Sequence, residues 1–60
     1  MGIEKCVQAL IADRYETYNI SSLMRLHQLD RNGINTVVVR LVAAGLTANI
    51  KNDSKLIIKR

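Results

Sequence analysis

Residues 31–59, RNGINTVVVRLVAAGLTANIKNDSKLIIK, decide the fold, because the apolar period changes inside this stretch. Ile34, Val37, Val38 and Leu41 stand at i, i+3, i+4 and i+7, one stripe of an α-helix. Gly45 then supplies the left-handed residue that ends such a helix. Beyond it Leu46, Ala48 and Ile50 alternate with Thr47, Asn49 and Lys51. Asn52-Asp53-Ser54 makes a polar turn, and Lys55-Leu56-Ile57-Ile58-Lys59 returns as a β-rich run. The spacing predicts a helix over 31–44 and then a two-stranded β-hairpin. A lone hairpin is marginal in water, so its apolar face must rest on helices.

Two readings exist for the start of that helix. Either Gly33 sits in the turn and Asn35 caps the helix, or Asp30 caps a longer helix that tolerates Gly33 in its first turn. The second reading costs about 1 kcal/mol relative to alanine at that position. Upstream, Ile3, Val7, Leu10, Ile11 and Tyr15 form a second helical stripe and predict a first helix over 2–16. Thr17, Tyr18 and Asn19 interrupt it as a short extended link. Ser21 or Ser22 is the expected N-cap of a short helix over 22–28 that buries Leu23 and Leu26, with His27 at its edge. The expected order is helix, helix, helix, hairpin, an α+β fold in a single domain over 1–60.

Sixty residues leave no room for a second domain or a large enclosed active site, so a binding module is the natural reading. Hydrophobic residues make up 48% of the chain, which argues against disorder. With no Phe and no Trp, the core must be aliphatic. Cys6 is alone, so it can form neither an intramolecular disulfide nor a cysteine zinc cluster, and it is expected to pack as a small hydrophobe. The seven uncharged residues from Cys6 to Ala12 are too few for a signal peptide, and no uncharged stretch approaches the ~20 residues of a membrane span. A cytoplasmic protein without membrane contact is expected. One His, one Cys and no glycine-rich phosphate loop argue against an enzyme, and neither a cofactor nor a metal is expected.

The net charge of +4 is unevenly placed. Residues 1–16 set Lys5 and Arg14 against Glu4, Asp13 and Glu16. Residues 17–60 set Arg25, Arg31, Arg40, Lys51, Lys55, Lys59 and Arg60 against Asp30 and Asp53 alone. A polyanionic partner would meet this second, basic part.

Leu29-Asp30-Arg31-Asn32, followed by Val38-Val39-Arg40-Leu41-Val42-Ala43-Ala44-Gly45-Leu46, resembles the recognition helix of the MarR-like winged-helix regulators. That family typically has an Asp-Arg pair at the helix start, an Arg-Leu pair in mid-helix and a Gly-Leu exit to the wing. The likeness covers roughly residues 20–60. Gly33 and Ile34 stand where Thr and Val are usual, Leu23-Met24 where Leu-Ala is usual, and the family's long dimerisation helices have no counterpart. The resemblance implies a three-helix winged helix-turn-helix with a C-terminal hairpin wing, as in small phage and plasmid regulators.

On this reading the chain binds double-stranded DNA as a small transcriptional regulator, with the third helix in the major groove. A 100° step per residue turns Arg31, Asn32, Asn35, Val39 and Arg40 outward, where Arg reads guanine, Asn reads adenine and Val meets a thymine methyl; Thr36 joins the base-contact set. Arg25, Lys51, Lys55, Lys59 and Arg60 are the expected phosphate contacts. A homodimer on a pseudo-palindromic site is expected, joined through the first helix. The competing reading is an interaction adaptor that binds a transcription or replication protein through Val39, Val42 and Ala43. An RNA-binding winged helix has the same sequence signature.

Overall fold

Thr17, Tyr18 and Asn19, which interrupt the first helical stripe, form a strand in the computed structural model, which describes residues 2–59. The elements are α1 (Ile3–Ala12), β1 (Thr17–Asn19), α2 (Ile20–His27), α3 (Arg31–Ala43), β2 (Thr47–Lys51) and β3 (Lys55–Lys59). The architecture is α+β, three helices on an antiparallel sheet of order β1-β3-β2. The expected hairpin is present as β2 and β3, but the sheet has three strands instead of two. A hairpin alone would leave the outer edge of β3 as an unpaired row of backbone groups, and β1 covers it. Tyr18 pairs with Leu56 there, and the Ile58 amide donates to the Glu16 carbonyl at 2.8 Å.

The strand explains why α1 is shorter than the expected 2–16. After Leu10 the next inward position falls on Arg14, so nothing apolar continues the stripe, and Asp13 is already extended. Tyr15 therefore lies outside the helix and is exposed. At α2 the structure corrects both the cap and the buried face. The helix begins at Ile20, and its N-cap is Asn19, whose side-chain oxygen accepts from the Ser22 amide at 3.2 Å, in place of Ser21 or Ser22. Starting at Ile20 shifts the inward stripe to Ile20, Leu23 and Met24, so Leu26 turns out and is 74% exposed.

For α3 the structure selects the longer of the two readings. Asp30 is the N-cap, its carboxylate accepting from the Gly33 amide at 2.8 Å. Gly33 is buried, and a side chain there would come within 3.1 Å of the Leu29 Cβ, so the missing methyl lets the first turn close onto Leu29. At the other end Ala44 is the C-cap and Gly45 takes the expected left-handed φ of +94°. Ile34, Val37 and Leu41 enter the core with Cys6, Leu10, Leu56 and Ile58, and Val38 is half-buried at its margin.

Among the described residues no polar residue is buried whole, although the Tyr18 hydroxyl is enclosed at the core's margin, so the interior is held chiefly by aliphatic burial. Cys6 is fully enclosed, and burial pushes its thiol pKa up from 9.0. Because the unfolded thiol ionises first, its contribution to stability is intact below about pH 9 and is lost as pH rises above that value. Native protein at pH 8 should resist alkylation at Cys6 and react readily in denaturant; equal rates in the two states would contradict the packing. Replacing Asp30 by Ala should cost about 0.5–2 kcal/mol in a urea titration, while Asp30→Ser should stay close to the parent.

Candidate functional site

The C-terminal order of elements brings the hairpin tip back to the beginning of α3. Strand β2 leaves the C-terminal end of α3 and its five residues run back for roughly 16 Å. Two bonds pin the turn. The Ile20 amide, at the start of α2, donates to the Ser54 carbonyl at 2.9 Å. The Arg31 Nη1, in the first turn of α3, meets the Asp53 carboxylate at 3.1 Å. Between these contacts lies a groove of about 240 Å³, lined by Ile20, Arg31, Ile34, Asn35, Ile50 and Asp53. Three elements thus meet at one small surface.

Charge is concentrated on the same tip. Lys51 and Lys55 are direct cross-strand partners flanking the turn, and both are exposed. Like charges placed directly opposite one another destabilise a strand pair, so this placement opposes hairpin stability. Within the turn, Asn52 and Asp53 take φ of 54° and 58°, two consecutive left-handed residues, and the Ser54 amide closes onto the Lys51 carbonyl at 3.2 Å. Such a turn favours glycine at its second central position, and this chain has an aspartate there.

The expected base-contact residues separate into groups. Arg31 and Asn35 lie on the first turn and a half of α3, exposed and beside the hairpin tip, whereas Asn32, also exposed, lines a separate groove with Ile3, Gln28 and Leu29. Thr36 follows, but its hydroxyl donates to the Asn32 carbonyl at 3.0 Å. Arg40 is nine residues beyond Arg31, about 13 Å along the axis and on the opposite flank. There it pairs with Glu4 of α1. Val39, 67% exposed, and Val42, 54% exposed, form an apolar strip on the later turns of the outer face.

The expected phosphate contacts divide as well. Lys51 and Lys55 share the tip. Lys59 pairs with Thr47 at the far end of the hairpin, roughly 13 Å from Lys55 on the same outward face. Arg25 is exposed on α2, five residues beyond the Ile20 anchor. Arg60 lies outside the described residues. The two carboxylate partners, Asp53 and Glu4, are what the sequence reading missed. An aspartate in a turn position that prefers glycine was the available signal for Asp53, whereas the Glu4–Arg40 pair has none at the level of local pattern.

Among the described residues no group of His, Cys, Asp and Glu is arranged to hold a metal ion, and no helix is long and apolar enough to cross a membrane. Compared with models of known families, with curated proteins and with solved structures, the chain matches none.

Both ion pairs are open to water: the side chains of Arg31 and Asp53 are 62% and 82% exposed. Exposed pairs of this kind contribute about 0–1 kcal/mol. Double-mutant cycles over Arg31/Asp53 and Arg40/Glu4 should therefore give coupling energies below ~1 kcal/mol that shrink further at 1 M salt. A salt-insensitive coupling of several kcal/mol in either pair would contradict that account.

Proposed function

We propose that this protein binds double-stranded DNA sequence-specifically, as a small regulator of winged helix-turn-helix type. The observation that carries the reading is the side-by-side placement of the first turn of α3 and a hairpin tip bearing Lys51 and Lys55. Arg31, Asn32 and Asn35 are the residue types that read guanine and adenine edges in a major groove. Lys51 and Lys55 supply cations for the flanking backbone, and their mutual repulsion is relieved when phosphates approach. Lys59 and Arg25 extend the basic surface. Arg40 contributes less to base readout than Arg31, because it lies on the other flank and is occupied by Glu4. Two copies joined through α1, where Ile11 is exposed, would present paired recognition helices to a pseudo-palindromic site.

One observation favours a second reading, an adaptor that binds a protein. Both guanidinium groups of α3 are held by carboxylates, and Val39 and Val42 are exposed between them. An exposed apolar strip of this kind is a common mark of a protein contact.

Binding to duplexes selected from a random pool, followed by fluorescence anisotropy over a salt series, tests the first reading. With three to five basic side chains on phosphate, log K should fall with log salt at a slope of about −3 to −5. Arg31→Ala should weaken the selected duplex at least about tenfold and Arg40→Ala less, while Val39→Asp should abolish partner binding on the second reading. Absent or salt-independent duplex binding would remove the first reading. Stronger competition by structured RNA than by duplex DNA would redirect it to RNA.

A further inference from the structure

We infer that Asp53 is a specificity-determining residue: its carboxylate holds the Arg31 guanidinium beside the groove that both residues line, poised for a base edge and discouraged from phosphate. The inference rests on the proposed duplex binding and names what sets its selectivity. It begins from a local cost. Asp53 has a φ of 58°, in the left-handed region where glycine is unstrained, and it follows Asn52 at 54°. Glycine at the second central position would make the turn easier to form. Asn and Asp tolerate this region better than other non-glycine residues, so the cost is small, but glycine would remove it together with the carboxylate.

The use of the carboxylate is visible in what the side chain reaches. Asp53 lies between the directly paired Lys51 and Lys55 in sequence, yet its carboxylate accepts from neither lysine but from Arg31, twenty-two residues away on α3. The turn that presents it is itself anchored, through the Ser54 carbonyl, to the amide of Ile20. The carboxylate is therefore delivered to the first turn of α3 from a fixed position. An arginine has four rotatable side-chain bonds and otherwise samples many directions. A single carboxylate ligand narrows them and leaves further guanidinium N–H donors free for a base. The same negative charge opposes a phosphate at that spot, so an incorrect duplex gains less from Arg31 as a backbone cation. Because the pair is exposed and weak, it adjusts to a correctly placed guanine without a large loss.

This role separates cleanly from a structural one. Asp53→Gly removes the carboxylate and relaxes the turn, and Asp53→Asn removes the charge with the shape kept. Asp53→Glu keeps the charge. The probes are a duplex selected from a random pool, about two helical turns long, and a scrambled duplex of the same composition. For Asp53→Gly the melting temperature should rise or hold. The ratio of selected to scrambled affinity should fall at least about fivefold, the lower end of what one arginine–base contact supplies. Binding to the scrambled duplex should tighten, with a salt slope steeper by about one as Arg31 becomes a phosphate contact. Asp53→Asn should behave alike in selectivity, and Asp53→Glu should recover part of the ratio. Parent protein that binds in a salt-dependent, selective manner, with variants whose ratio is unchanged, would overturn the role of Asp53 and leave the proposed function standing. Parent protein that does not bind duplex would overturn both.

Discussion

The inward turn of Ile34, Val37 and Leu41, in one core with Leu56 and Ile58, is the constraint from which the rest of the surface follows. A helix has one rotational phase. Once these three side chains are buried, Asn32, Val39 and Ala43 point away from the core, and Arg31 and Arg40 fall on opposite flanks. The flanks then meet different neighbours. One faces the hairpin tip and its aspartate, and the other faces α1 and Glu4. No charged interaction is needed to set this orientation. The exposed ion pairs are consequences of aliphatic packing, and their small energies could not oppose it.

Legibility from the sequence tracked the strength of the period. Around α3 and the hairpin, four apolar residues at helical spacing, one alternating run and one β-rich run were enough to name the elements and most of the buried side chains. Where the period was weak, phase was lost. Ile20 stands alone between Asn19 and two serines, so assigning it to a link moved the start of α2 and put Leu26 inside, although the structure turns Leu26 out. The third strand was also hidden, because three residues are too short for an alternation to register. β1 exists through its pairing with β3, which is a tertiary cause. At the candidate site the cations were readable from residue type, and their partners were not. Asp53 and Glu4 are distant in sequence from the arginines they meet; the turn position of Asp53 marks it as unusual, but no local pattern names its partner or points to Glu4.

The small size of the chain makes each local device count. With no disulfide and no wholly buried polar residue among the described residues, cooperativity has to come from close packing and from well-made ends. Gly33 illustrates the balance. Its backbone freedom disfavours a helix, yet its lack of a side chain admits Leu29 to the first turn, and Asp30 satisfies its amide. That turn carries Arg31 and Asn32. The cap that starts the helix therefore also sets the position of the residues proposed to read a base.

The arrangement of charge is more telling than its net excess. If the basic surplus served solubility alone, cations would be expected apart from one another, because separation lowers their repulsion. Here Lys51 and Lys55 are directly opposed at a tight turn, and Arg31 is drawn to the same place by an aspartate that occupies a left-handed backbone position. The opposed lysines and the left-handed aspartate each work against the isolated fold by a small amount, which the weak Arg31–Asp53 pair offsets only in part. Their shared location, on a turn bonded to the starts of both α2 and α3, is the ground for the polyanion-binding surface proposed above.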